Sequence, residues 1–202
     1  MAKIKLTKEE VKRILKIEGN LNGAIFGAYR QYLIAKKGED VVKSIEWRLE
    51  ELGLPIKLKS YSSFKMYPEA EACLVCLAIL EHFDWDEEKA YDIGYDAPLH
   101  SLLTKILMKY VSVEKLLTEG PKHWKRHFDI GDMKCTKCDV EKGHAVMRLK
   151  GFKKFHPAVY TYIRGYLARL VEIATKTKGV RVEQTKSLYN NDSFDEFQIK
   201  WK

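Results

Sequence analysis

The stretch HPAVYTYIRGYLARLVEIATK, beginning at His156, constrains the fold more than any other part of the chain. Its apolar residues recur at helical spacing, with Tyr162, Ile163, Tyr166, Leu167, Leu170 and Val171 on one face. On both sides the period drops to two. DMKCTKCDV, EKG and HAVMRLKGF before it read as a hairpin. After it, GVRVEQTKSLY places Val180 and Val182 on one side, and FQIKW places Phe197, Ile199 and Trp201 on one side. A long helix between two hairpins leaves no βαβ repeat, so nothing points to a parallel sheet. The expected class is α+β: N-terminal helices, then an antiparallel sheet of about four strands with the long helix inserted between its hairpins.

The N-terminal half reads as a run of helices. TKEEVKRILKI over 7–17 carries Val11, Ile14, Leu15 and Ile17 behind a Thr7 cap with Glu10 three residues on. AIFGAYRQYLIAK and EDVVKSIEWRLEEL follow, over roughly 23–36 and 39–52, punctuated by Gly38 and Gly53. IKLKSYSSFKMYP reads as a short strand and turn closed by Pro68. EAEACLVCLAILEHF is a strongly apolar helix. DEEKAYDIGYDAPLHSLLTKILMKY is another, bent near Gly94 or Pro98, and SVEKLLTEGPKHWKRHF a third, capped by Ser112.

At 202 residues and 46% hydrophobic, the chain can bury a core without disulfide staples. Its net charge of +8 raises the question of nucleic acid. Lysines alternate with glutamates in KLTKEEVKR, GEDVVKSIEWRLEE and DWDEEKA, and only PKHWKRH and KGFKKFH are locally basic. A nucleic-acid protein gathers its positive charge on one face or arm, so this distribution argues against one. No apolar run is long enough to span a membrane, and the N-terminus lacks the apolar core of a signal peptide. A reducing cytoplasm is the expected location.

Two CxxC pairs, Cys73/Cys76 and Cys135/Cys138, raise the question of zinc. ACLVCLA lies in an apolar helix, where cysteines three apart are small core residues. KCTKC lies in a strand, where such residues face opposite sides unless a bulge intervenes; His144 could then complete a knuckle with them. The expectation is no metal. No Gly-rich phosphate loop, GxSxG elbow or HExxH is present, and the paired acids Glu9/Glu10, Glu50/Glu51 and Glu87/Glu88 fall on polar helix faces. No catalytic constellation is visible, and the chain reads as a binder.

The segment GPKHWKRHFDIG starts at Gly120. On a helix His123 and His127 share a face, while Trp124 turns about 100° away to meet Phe128 four residues on. One reading is a solvated histidine pair at a helix C-terminus, where positive charge suits the dipole. The other places Trp124 or His123 in a pocket, as aromatic lining with a polar anchor.

GAIFGAYRQYLIAKKGEDVVKSIEWRLEELGLP resembles the opening helices of haem-based nitric-oxide/oxygen-binding domains. FHPAVYTYIRGYLARLVEIATKTKGVRVEQTKSLYNNDSFDEFQIKW resembles the 4-vinyl reductase domain, the predicted hydrocarbon-binding proteins, still more closely. These families and certain Golgi transport-particle subunits share one α+β fold around an apolar cavity. The resemblance runs from about residue 20, which makes 1–19 a helical arm and 20–202 a single ligand-binding domain. It departs from the pattern in two places. Where the 4-vinyl reductase group holds zinc with cysteines, this chain has Val159 or Tyr160, then Ser187 and Asp195. His123 falls close to where the haem domains place their axial histidine. Their tyrosine-x-serine-x-arginine motif for the haem propionates is replaced by Leu149, Lys150, Gly151, Phe152 and Lys153.

The expected function is therefore non-catalytic: binding a small hydrophobic or aromatic molecule in a cavity beneath the sheet, as a sensor or carrier with no cofactor. Trp124, Tyr162, Ile163 and Tyr166 are the expected lining, and His123 or His100 the polar anchor. A homodimer or an output protein would transmit the signal. The alternatives are a haem-binding gas sensor and a scaffold of the transport-particle type.

Overall fold

A four-stranded antiparallel sheet closes one side of the molecule, in the order β3-β4-β6-β5. Its strands are β3 (Asp132–Asp139), β4 (His144–Lys150), β5 (Arg181–Lys186) and β6 (Asp195–Lys200). The long helix Pro157–Thr175 runs between the two strand pairs, so the expected α+β order is observed. The computed structural model describes residues 3–100 and 112–201, with the His123 side chain outside the described part.

Five helices precede a gap in the description: α1 (Lys8–Leu15), α2 (Ala24–Lys37), α3 (Glu39–Glu51), α4 (Glu69–His82) and α5 (Ala90–Asp96). A 3-10 turn over Ala97–His100 extends α5, and the rest of the helix expected there falls on 101–111, outside the described residues. After the gap come α6 (Val113–Glu119), α7 (Trp124–His127) and α8, the long helix. Two short strands, β1 (Asn20–Asn22) and β2 (Met66–Pro68), pair antiparallel ahead of α4.

Several expectations change. The segment from Ser112 to Phe128 is not one helix: Ser112 caps α6 through Lys115, but Gly120–His123 tightens into a 3-10 turn before α7 begins. Pro121 lacks the N–H that a continuing α-helix needs. The stretch 56–68 forms a 3-10 turn, Leu58–Ser60, and only its last residues join a strand. Part of the segment expected as an arm is buried against the helices. Leu6, Val11 and Ile14 are buried, and Arg48 holds Glu81 at 2.9 Å and the Leu6 carbonyl at 3.0 Å.

One apolar core joins helices and sheet. The inner sheet face contributes Met133, Ala145, Met147, Leu149, Val182, Phe197 and Ile199, which explains the period of two in those strands. Beside them α8 lays Ile163, Leu167 and Val171. At its other side α8 crosses α5 with almost no space. A Cβ at Gly165 would strike the Tyr91 carbonyl, and one at Gly94 the Tyr162 carbonyl. These two glycines let the backbones meet. His156 caps α8 by accepting from the Ala158 N–H at 3.1 Å, and Pro157 follows at the first helical position.

Candidate functional site

Tyr162 and Tyr166 lie one turn apart on α8. Both keep accessible surface, yet burial pushes their hydroxyls well up for Tyr162 and up for Tyr166, with burial the only cause in the second case. Tyr162 meets the buried Tyr29 of α2 edge to face at 5.8 Å. Burial, with the neighbouring Cys76, raises the Tyr29 hydroxyl. Cys76 and Cys73, one turn earlier on α4, are buried core residues, and burial pushes the Cys76 thiol up to about 12. Ile163, one position from Tyr162, is buried.

His100 ends the 3-10 turn that packs against α2 and α8. Its Nε2 meets the Asp96 carboxylate at 2.5 Å, and the ring is half-buried. Asp96 therefore orients the imidazole.

Trp124 is placed elsewhere. Its indole stacks on Phe128 at 4.1 Å and meets Phe152 edge-on at 6.1 Å, while Nε1 donates to the Ile130 carbonyl at 2.9 Å. Phe152 then touches Phe155 and Tyr160. Trp124 thus packs at the start of the sheet, while Tyr162 meets α2. The segment around it also docks on β1: Asp129 accepts from the Asn20 main chain and side chain, both at 2.6 Å, and Phe128 bridges Leu21. Gly19 approaches Ile130 so closely that a Cβ there would sit 2.5 Å from Cδ1. GPKHWKRHFDIG is in large part a structural clasp.

Beneath the sheet, side chains of the inner sheet face and of α8 pack together in the core. Two recesses occur on the sheet's polar side and rim. One of about 100 Å³ is lined by Asp132, Lys134, Thr136, Arg148 and Lys150. One of about 420 Å³ includes His144, Arg181 and Trp201. Neither includes a residue expected to line a ligand site.

In the 135–138 stretch the register shifts between Cys135 and Lys137, which is the bulge an alternating strand would otherwise lack. Cys135 pairs with Met147 and Cys138 with Ala145, so both thiols face the core side. His144 pairs with Asp139 instead, and among the described residues no group of three or more His, Cys, Asp or Glu could hold a metal. At the β5–β6 loop, hydrogen bonds do the holding. The Asp195 carboxylate accepts from Leu188 N–H and from Gln184, each at 3.0 Å, and Asp192 accepts from Ser187 N–H at 2.8 Å.

No protein-family model matches the chain, and no curated protein is similar to it. The resemblance to 4-vinyl reductase domains therefore finds no support there. Solved structures do match. An H-NOX protein from S. oneidensis in the Fe(II)NO ligation state aligns at 14% identity and a TM-score of 0.66, over 90% of this chain and 99% of that one. An H-NOX domain from Shewanella oneidensis in the Fe(II)CO state gives 13% and 0.68, with the same coverages. An oxygen-binding H-NOX domain related to soluble guanylate cyclases gives 16% and 0.64, over 90% and 95%. At these identities the likeness concerns architecture alone: nine-tenths of the chain has the H-NOX fold.

Proposed function

We propose that this chain is a non-catalytic sensor domain of the H-NOX type, which holds a small apolar ligand against the Tyr162–Tyr166 face of α8. The observation that carries this reading is the pair Tyr162 and Tyr166, half-buried one turn apart on α8, with Tyr162 edge to face on the buried Tyr29. Such a wall offers ring area to an apolar body and a hydroxyl to one polar group. Ile163 adds apolar backing, and His100 is the candidate polar anchor, with its ring set by Asp96. Trp124 would act from outside this wall, as the clasp that fixes the sheet against β1.

A second reading, haem, is favoured by the H-NOX structures, three of which carry iron–gas or oxygen complexes in their descriptions. His100 suits it, because an imidazole oriented by a carboxylate is the usual arrangement of an iron or zinc ligand. The stretch 149–153 does not. Leu149 and Phe152 are buried in the core, whereas Lys150 and Lys153 are exposed, with Lys150 over the Phe194 ring. No cation in that stretch faces inward to meet a haem acid group. That stretch speaks against a haem acid group there, while the likeness to H-NOX structures speaks for haem.

Native mass spectrometry of freshly purified protein, with its absorption spectrum, separates the readings. A copurifying small molecule and no Soret band is the expected result. A Soret band lost on His100→Gly would establish haem instead. Protein that is empty, and whose melting temperature no apolar compound raises, would leave only a scaffold, since a ligand of the folded state must stabilise it.

A further inference from the structure

The bulge in β3 has a chemical consequence apart from the ligand site. In a regular strand, residues three apart point to opposite faces and stand roughly 10 Å from each other. Here the shifted register sets Cys135 and Cys138 on the same, inward face of the sheet. Cys135 Sγ donates to the Lys137 carbonyl at 3.2 Å, and burial raises both thiols. Both are half-buried and free, in contrast with Cys73 and Cys76, which are buried in α4. β3 is an edge strand, so its outer side carries no neighbouring strand of the sheet to resist a tightening around Thr136. A disulfide needs the two Cα atoms within about 7 Å, so the pair closes only as the bulge around Thr136 contracts.

We infer that Cys135 and Cys138 form a reversible dithiol–disulfide site on the edge of the sheet, with small-molecule disulfides of the glutathione class as the exchange partner. One thiolate attacks a sulfur of oxidised glutathione, making a mixed disulfide and expelling one glutathione thiolate. The second cysteine thiolate then attacks the protein sulfur of that mixed disulfide, closes the Cys135–Cys138 bond and expels the other glutathione. The two protons given up by the cysteines end on the two glutathione thiols, so two electrons pass from the protein to the oxidant. No metal enters the step. Closure fixes the bulge beneath α6, where Glu114 is the charged neighbour of Cys138.

The test uses the whole chain in a series of glutathione buffers from reduced to oxidised, quenched by alkylation and mapped without reduction. The expected product is a monomer lighter by two hydrogens, with Cys135 joined to Cys138. Cys73 and Cys76 in the same molecules serve as the internal control and should remain thiols. Cys138→Ser should instead accumulate a stable glutathione adduct on Cys135, because the resolving thiol is gone. Cys135 and Cys138 both alkylated in oxidised buffer would overturn the inference. So would a persistent glutathione adduct on the unaltered chain, or a disulfide linking two chains.

Discussion

Asp195 has one carboxylate oxygen bonded to Leu188 N–H and Gln184, while the other is buried with no partner. Burial outweighs those bonds and pushes its pKa from 3.8 up to about 6. Between these values the native state binds more protons than the unfolded chain, so this group makes stability fall as pH rises across the window. His156 acts in the opposite direction. Burial lowers its pKa from 6.5 to about 4, so its share of stability is present above 6.5 and is lost as pH falls toward 4. The two slopes oppose each other in the intact protein, and single variants should separate them. Asp195→Asn, which keeps an acceptor and supplies an N–H₂ to the orphaned position, should leave stability that declines on acidification. His156→Asn, which retains a good helix cap, should leave stability that declines as pH rises from 4 to 6. Urea unfolding midpoints across that range check both. Neither role was legible in the sequence, where Asp195 stood only as a missing zinc ligand and His156 as the start of a helix. Hydrogen-bond partners and depth are set by tertiary contacts that no local pattern records.

At the scale of elements, periodicity exposed the helices and strands because each buries one apolar face. It could not show what depends on small residues. The α5–α8 crossing rests on Gly94 and Gly165, with Ala158, Thr161 and Ala168 also buried on α8, and a hydrophobic pattern does not mark such a surface. Gly165→Ala should cost about 1–3 kcal/mol or more, because the added methyl meets the backbone of α5 rather than a flexible side chain. A lowered urea midpoint at unchanged slope is the expected signature. A change within a few tenths of a kcal/mol would mean that the helices separate freely. The break at Pro121 was readable in principle from the Gly-Pro pair, since proline opens a new turn more readily than it continues an old one. The bulge was not: KCTKC alternates no differently from a regular strand, and its shift appears only in the pairing with β4.

Across the whole molecule, the wall of the candidate site was half legible. Spacing puts Tyr162, Ile163 and Tyr166 on one helical face, but Ile163 is buried with Leu167 and Val171 beside the sheet, while Tyr162 meets Tyr29 of α2. Sequence separation hides such pairing, because α2 lies more than a hundred residues upstream of α8. The proposed site predicts that Tyr166→Ala weakens ligand binding while the protein stays folded, since the ring caps no element. Circular dichroism together with ligand-dependent melting would show both halves of that result.

Diffraction from a crystal pressurised with xenon tests the recess most directly, because an apolar cavity takes up xenon whether or not its natural ligand is known. Density should lie against the Tyr162 and Tyr166 rings, from xenon or from a molecule that copurified, and Tyr166→Ala should enlarge or displace it. A Tyr162–Tyr166 face packed solid by protein side chains, with no density beside it under pressure, would contradict the account.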